Sequence, residues 1–244
     1  MTLPHQPIAA RYGQDGDKQT YLRSLFDKSA PHYDRIGGFG FLWTGGLYRR
    51  RSLRLARLRP GMSVLDVACG TGAVTRAIVQ LLKGNGSVVG VDPSPGMLEV
   101  ARKRVPGVEF RAGHAEALPA EDASVHFLSM GYALRHVAKL EAAFREYRRV
   151  LKPGGRVLIL EISRPRTRLG LLVARTYFRD ILPLLTRLVT WSKDAHEMMS
   201  YYWETIDACV PPDTIVAALR EVGFLGVQRR VELGIFSAFT ATAP

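Results

Sequence analysis

The chain is 244 residues long, 47% hydrophobic and 23% charged, with a formal net charge of +12; this excludes intrinsic disorder and fits one large domain or a domain with an embedded cap. No stretch approaches the roughly 20 apolar residues of a membrane-spanning helix, and the N-terminus lacks the apolar middle of a secretory signal, so a cytoplasmic protein is expected. Cys69 and Cys209 are the only cysteines and lie far apart in sequence, which argues against a disulfide framework or a thiolate metal site; no metal is expected.

In chain order, residues 1–60 hold helical stretches around YLRSLFDKSAPHYDRI and LYRRRSLRLARL. From Val64 onward, short β-rich runs alternate with amphipathic helical ones. The strands read as VLDVA (64–68), SVVGVD (87–92), VEFRAG (108–113), SVHFLSM (124–130) and GGRVLILEIS (154–163). Between them GAVTRAIVQLLK, PGMLEVARKRV and LEAAFREYRRVLK read as helices, the last ended by KPGG at 152–155. This alternation predicts an α/β fold, an open parallel sheet with helices on both faces. Residues 165–207 form a long helical insertion rich in arginine and aromatics. A helix DTIVAALREVGF follows, closed by Gly223, and then VQRRVEL and FSAFTATA joined by a turn near Gly234. Two runs joined so tightly must be antiparallel. Ligand sites in such sheets lie outside the carboxyl ends of the strands. Residues 1–60 and 165–207 are therefore expected to fold as helical lids over a core made of 61–164 and 208–244.

The positive charge is clustered: Arg49, Arg50, Arg51, Arg54, Arg57 and Arg59 crowd eleven residues, and six more arginines lie from Arg164 to Arg187. Nucleic acid, an anionic membrane surface or an acidic substrate suits such patches, and so does a merely solvated basic face.

The first strand leads into VLDVACGTGAV (64–74). A strand passing through Cys-Gly-Thr-Gly into a helix brings backbone N–H groups close to a ligand, because glycine has no Cβ to hold it away. A dinucleotide fingerprint needs a third glycine where Thr75 stands, and no phosphate-binding P-loop occurs. Asp92 ends the second strand 20 residues after Gly72, a place from which a carboxylate accepts hydrogen bonds from both ribose hydroxyls.

This combination resembles motif I and the acidic second-strand end of the class I S-adenosylmethionine-dependent methyltransferases. The resemblance implies a Rossmann-like, mostly parallel seven-stranded sheet with an antiparallel C-terminal hairpin strand. It implies S-adenosyl-L-methionine as cofactor, with S-adenosyl-L-homocysteine as product. Cofactor contacts are implied for Asp66, Ala68, Gly70, Thr71, Gly72, Asp92, Pro93, Met97, Met130 and Gly131, with His114 and Ala115 of AGHAEALP capping the adenine. Most relatives carry Asp or Asn at the first of that pair. A neutral imidazole at His114 could accept from the adenine amino group, whereas an imidazolium could not.

FDKSAPHYD, AEALP, the Leu134-Arg135 pair, YRRVLKPGGRVLILEISRP and SYYWETI are together similar to the ubiquinone/menaquinone biosynthesis C-methyltransferase family, the UbiE type, from about Phe26 to the C-terminus. In that family the tyrosine of an N-terminal K-Y-D stretch lies over the cofactor, and Tyr33 matches it. The family stretch S-F-G-L-R-N is here Gly131-Tyr132-Ala133-Leu134-Arg135-His136. The arginine is kept, while the outer polar residues have become Gly and His. Arg135 is expected to orient a phenolate oxygen of the substrate and His136 to take its proton, a structural ion pair and a retained hydrogen bond being the alternatives. Tyr132, Tyr201 and Tyr202 are expected to line the substrate pocket or to pack as core.

The activity implied is S-adenosylmethionine-dependent C-methylation of a quinol or related lipophilic phenol. Two alternatives stay open: methylation of another small acceptor, such as a phospholipid amine or a natural product, and a cofactor-binding role without methyl transfer. The expected partners are a lipophilic small molecule and an anionic membrane surface rather than nucleic acid, with a homodimer left open. The apolar residues of 41–43 and 171–191 would guide an isoprenoid tail while nearby arginines face headgroups, peripheral on the inner face of the membrane.

Overall fold

Central strands of an α/β sheet are covered on both faces and read as continuous apolar runs rather than alternating ones. VHFLSMG is such a run, and it forms strand β4 (Val125–Gly131), with Phe127, Leu128 and Met130 buried. The computed structural model describes residues 2–5, 8, 11, 15–40 and 45–244, with only the backbone described for 15–17 and 32–40. Among these residues seven strands form one sheet in the order β3-β2-β1-β4-β5-β7-β6. The others are β1 (Ser63–Val67), β2 (Ser87–Asp92), β3 (Glu109–Ala112), β5 (Leu151–Ile162), β6 (Leu225–Glu232) and β7 (Phe236–Thr242). β1 pairs in parallel with both β2 and β4. The chain steps outward from β1 to β3 and then returns to β4, so the strand order reverses at β1 and opens a crevice at the carboxyl ends. β7 runs antiparallel to β5 and β6, as the tight turn near Gly234 requires.

Helices α3 (Ala73–Leu82), α4 (Pro95–Arg104), α5 (Leu140–Val150) and α9 (Pro212–Glu221) cover the sheet. α5 buries Leu140, Ala143, Phe144, Tyr147 and Val150, a helical stripe that packs with Leu65, Val67 and Leu219 of α9. The opposite face packs Val64 and Phe127 against Ile78 of α3 and Leu53. Leu53 belongs to α2 (Gly45–Leu55), so this part of residues 1–60 packs on the flank of the sheet.

Helix α5 stops at Val150, earlier than the expected Lys152, because Leu151 already pairs with Val125. KPGG is a bulge inside β5: the register jumps from Val125↔Leu151 to Phe127↔Arg156, with Gly154 at φ 74°.

Helix α1 (Asp15–Gly40) and the insertion form a separate helical layer. The insertion comprises α6 (Arg168–Arg175), a π-helical turn (Thr176–Ile181), α7 (Leu182–Thr190) and α8 (Lys193–Ala208). Leu22 and Leu25 of α1 pack with Phe178, Tyr201 and Trp203 of the insertion. Helix α1 and the insertion, both in segments expected as lids, thus pack into one body.

In β2, Gly90 lies opposite Phe110 of β3, and a Cβ there would sit 2.5 Å from the Phe110 ring and 3.0 Å from the Cys69 sulfur. Gly90→Ala should destabilise the chain by about 1–3 kcal/mol through this overpacking. The urea midpoint would fall at an unchanged slope; an unchanged midpoint would mean that the β2–β3 edge yields freely.

Candidate active site

The loop after β1 sits at the mouth of the crevice, where a cavity of about 320 Å³ opens. Ala68 (φ 51°) and Gly70 (φ 54°) both take the left-handed conformation, which turns the chain sharply from strand to helix. At Ala68 this costs on the order of 1–3 kcal/mol, held by the surrounding packing. A Cβ on Gly70 would meet nothing within 4 Å, so that face of the loop is open to a ligand.

Two carboxylates brace the loop from below. Asp92 at the end of β2 accepts from the Gly70 N–H (2.8 Å) with one oxygen and from the Ser94 N–H (2.9 Å) with the other. Asp66 in β1 accepts from Thr75 Oγ1 and Ser129 Oγ, both at 2.6 Å. Thr75, standing where a dinucleotide fingerprint would have its third glycine, therefore fixes Asp66. Both carboxylates line the cavity and are buried. Burial pushes each pKa up to about 6, against the opposing pull of these hydrogen bonds.

Ala68, Thr71, Pro93, Met97, His114, Ala115, Met130 and Gly131 also line this cavity, as expected. At Gly131 a Cβ would lie 2.7 Å from Val74 Cγ2, so helix α3 packs closely on the end of β4 here. Gly72 is a correction: its missing Cβ faces Val105 (3.3 Å) and Ala101 (3.5 Å) around helix α4, and it does not line the cavity. Its left-handed φ of 79° starts α3. Tyr33 lies outside the residues whose side chains are described.

Tyr132 and Tyr202 line the cavity, and burial raises both phenol pKa values. Tyr132 has φ 62°, an unusual conformation for an aromatic residue. Its N–H donates to Leu160 O (2.7 Å), and its carbonyl accepts from Arg135 (2.8 Å).

Arg135 is the second correction. Its side chain is fully buried, pairs with the buried Glu161, donates to Thr205 Oγ1 (3.1 Å) and lies 4.3 Å over the Tyr202 ring. It does not line the cavity; its bonds hold the Tyr132 turn and α8. Tyr201 follows the core alternative: it is buried among the helices, edge-on to Tyr21 and stacked on His136 at 5.8 Å, outside the cavity lining.

His136 does line the cavity. Its ring also meets Phe26 edge-on at 5.3 Å. Its buried Nδ1 has no hydrogen-bond partner among the described residues. Burial, and then the charges of Arg135, Lys18 and His5, push its pKa well below the usual histidine range, so the ring is neutral at neutral pH.

Sequence reasoning missed Asp27. Its carboxylate accepts from Ser94 Oγ (2.6 Å) and the Gly96 N–H (2.9 Å), at the first turn of α4. This carries Leu22, Arg23 and Phe26 of α1 to the cavity. No local pattern signals a contact between residues so far apart. Leu182 and Met199 of the insertion complete the apolar side.

Comparison with known proteins adds to this geometry. The sequence profile of the ubiE/COQ5 methyltransferase family matches residues 14–242. Demethylmenaquinone methyltransferase of Symbiobacterium thermophilum is 35% identical over 217 residues, covering 86% of this chain and 86% of the relative. The ubiquinone/menaquinone biosynthesis C-methyltransferase UbiE of Legionella pneumophila is 32% identical over 214 residues, covering 85% and 84%. Among solved structures, a SAM-dependent methyltransferase from Aquifex aeolicus superposes with a TM-score of 0.63 at 18% identity, over 86% of this chain and 98% of that one; this likeness concerns the fold.

The raised carboxyl pKa values have a stability consequence. A carboxyl whose pKa rises from 3.8 to about 6 on folding favours the folded state fully below about pH 4, and this is lost as pH rises through about 6. Relative to the native chain without ligand, Asp92→Asn should therefore gain about 3 kcal/mol in unfolding free energy between about pH 4 and about pH 7. Urea titration across that range measures it, and a constant difference would mean that Asp92 is not desolvated.

Proposed function

Because this chain belongs to the ubiE/COQ5 methyltransferase family and is an S-adenosylmethionine-dependent methyltransferase, we propose that it methylates a ring carbon of a prenylated quinol. The observation that carries the reading is one cavity with a glycine loop and paired carboxylates at one end, and the neutral His136 among apolar and aromatic side chains at the other. The relatives named for menaquinone and ubiquinone synthesis support the acceptor class.

The site fits the cofactor. Each Asp92 oxygen already accepts one backbone N–H and keeps a lone pair for a ribose hydroxyl. The open face at Gly70 leaves room for the short methionine zwitterion. Met97, His114 and Ala115 would flank the adenine, the His114 imidazole accepting from its amino group while neutral. When bound, the cofactor supplies an electrophilic methyl group on a sulfonium.

The chain's own residues align and desolvate the acceptor. A ring carbon becomes nucleophilic as its phenol loses a proton, and His136, which lines the cavity and whose Nδ1 has no hydrogen-bond partner among the described residues, would take that proton. Its depressed pKa leaves the imidazole unprotonated in the resting enzyme, and a phenolate formed beside it would offset the burial and positive charge that disfavour the imidazolium. Arg135 and Glu161 hold Tyr132 and the turn that carries His136.

Attachment to a membrane belongs to the same reading. Among the described residues no helix is long and apolar enough to cross a membrane. Helices α6 and α7 instead leave Leu169, Leu172, Val173, Leu184, Leu188 and Trp191 exposed, the last at 87%. Arg168, Arg175 and Arg187 are exposed on the same segments. Apolar side chains beside cations suit the interface of an anionic bilayer, and Leu182 of α7 reaches the cavity.

His136→Ala should leave the Kd for S-adenosylmethionine within about twofold and lower kcat on a prenylated quinol by about a hundredfold or more. Calorimetry and single-turnover methylation read the two values; an unchanged kcat would end the role of His136 as base. The native chain should sediment with phosphatidylglycerol vesicles, less so at high salt, and the double change Leu188→Asp with Trp191→Asp should abolish this. Equal binding to neutral vesicles, or retention by the variant, would remove the membrane face.

A further inference from the structure

A second cavity, of about 630 Å³, lies between α2 and the β6–β7 hairpin. Gly45 and Tyr132 line both this cavity and the one beside the glycine loop, so the two spaces are neighbours on either side of these residues. The walls include Leu47, Tyr48, Leu55, Leu233 and Phe236, with the Tyr48 and Phe236 rings 5.3 Å apart.

Leu47, Leu55 and Leu233 are 63%, 52% and 86% exposed. Single exposed leucines are ordinary, but three around one groove form a patch that a ligand would cover. Arg51, Arg54 and Glu232 also line the groove; Glu232 faces Arg51 at 3.9 Å and Arg230 at 3.1 Å. The Arg51–Glu232 pair ties the hairpin to α2, and the remaining walls are apolar or aromatic. Such walls suit a hydrocarbon chain, whereas a peptide or nucleotide would bury polar groups without partners there. The volume falls within the roughly 300–1,000 Å³ of small-ligand pockets.

We propose that this groove binds the isoprenoid tail of the acceptor, with the quinol ring in the main cavity and the tail leaving it past Tyr132. The proposal rests on the reading of the acceptor as a prenylated quinol. It assigns the tail to α2 and the hairpin tip, an exit distinct from the α7 face.

The test compares one quinol ring with and without a geranyl tail. Both are used free of vesicles and detergent, so that membrane docking does not enter. Leu55→Asp and Leu233→Asp change exposed side chains, and circular dichroism checks that each variant folds. Each should lower kcat/KM for the geranylated acceptor about tenfold or more through KM, while leaving the tail-less acceptor within twofold. Calorimetry with geraniol, which has the tail and no ring, should detect binding to the native chain and its loss in both variants. Unaltered kinetics with the geranylated acceptor, or equal losses with both acceptors, would overturn the groove. If the native chain binds geraniol and methylates neither quinol, and the variants do not bind it, the groove stands and the quinol reading falls. Absence of both binding and turnover overturns both.

Discussion

Two carboxylates drawn out of water at the carboxyl ends of neighbouring parallel strands organise the site. Asp66 and Asp92 are held by hydroxyls and backbone N–H groups, and burial outweighs those bonds enough to raise both pKa values to about 6. The bond from the Gly70 N–H to Asp92 fixes the left-handed loop, while Asp66 ties α3 and β4 to β1 beneath it. The sheet order, reversing at β1, sets both acids at the only kind of edge where an open α/β sheet leaves a crevice. A ligand bringing its own hydroxyls meets acceptors already aimed.

The rest of the cavity is built by helices that the sheet does not require. Asp27 ties α1 to the first turn of α4, and α1 in turn packs with the insertion through Leu22, Leu25 and Trp203. The Asp27 contact beside the glycine loop thus connects to the helices that supply the apolar lining of the cavity. Arg135 acts within this layer: buried against Glu161 and Tyr202, it pins the strained Tyr132 turn. A buried pair of this kind sets geometry more than it adds stability.

The sheet was legible because strand period, helix stripes and the glycine loop all agree in VLDVACGTGAV, SVVGVD and SVHFLSM. The cavity residues at Asp66, Gly70, Asp92 and His136 followed from the loop and from the family resemblance. What failed shares one physical cause. Gly72 and Gly70 look alike in sequence, but only the direction of the missing Cβ separates helix packing from ligand approach. Arg135 and His136 are neighbours, yet the short 3₁₀ turn from Leu134 to His136 sends one into the helical layer and the other to the cavity. Asp27, the π-helical turn after α6, and the bulge that turns KPGG into strand all depend on contacts between distant segments, to which a local pattern is blind.

The most direct measurement is to locate the transferred group. With trideuteromethyl S-adenosylmethionine and a prenylated quinol lacking one ring methyl, tandem mass spectrometry should find the label on a ring carbon. Label on a quinol oxygen, or no transfer while the cofactor binds, would contradict the assignment of this cavity to quinol C-methylation.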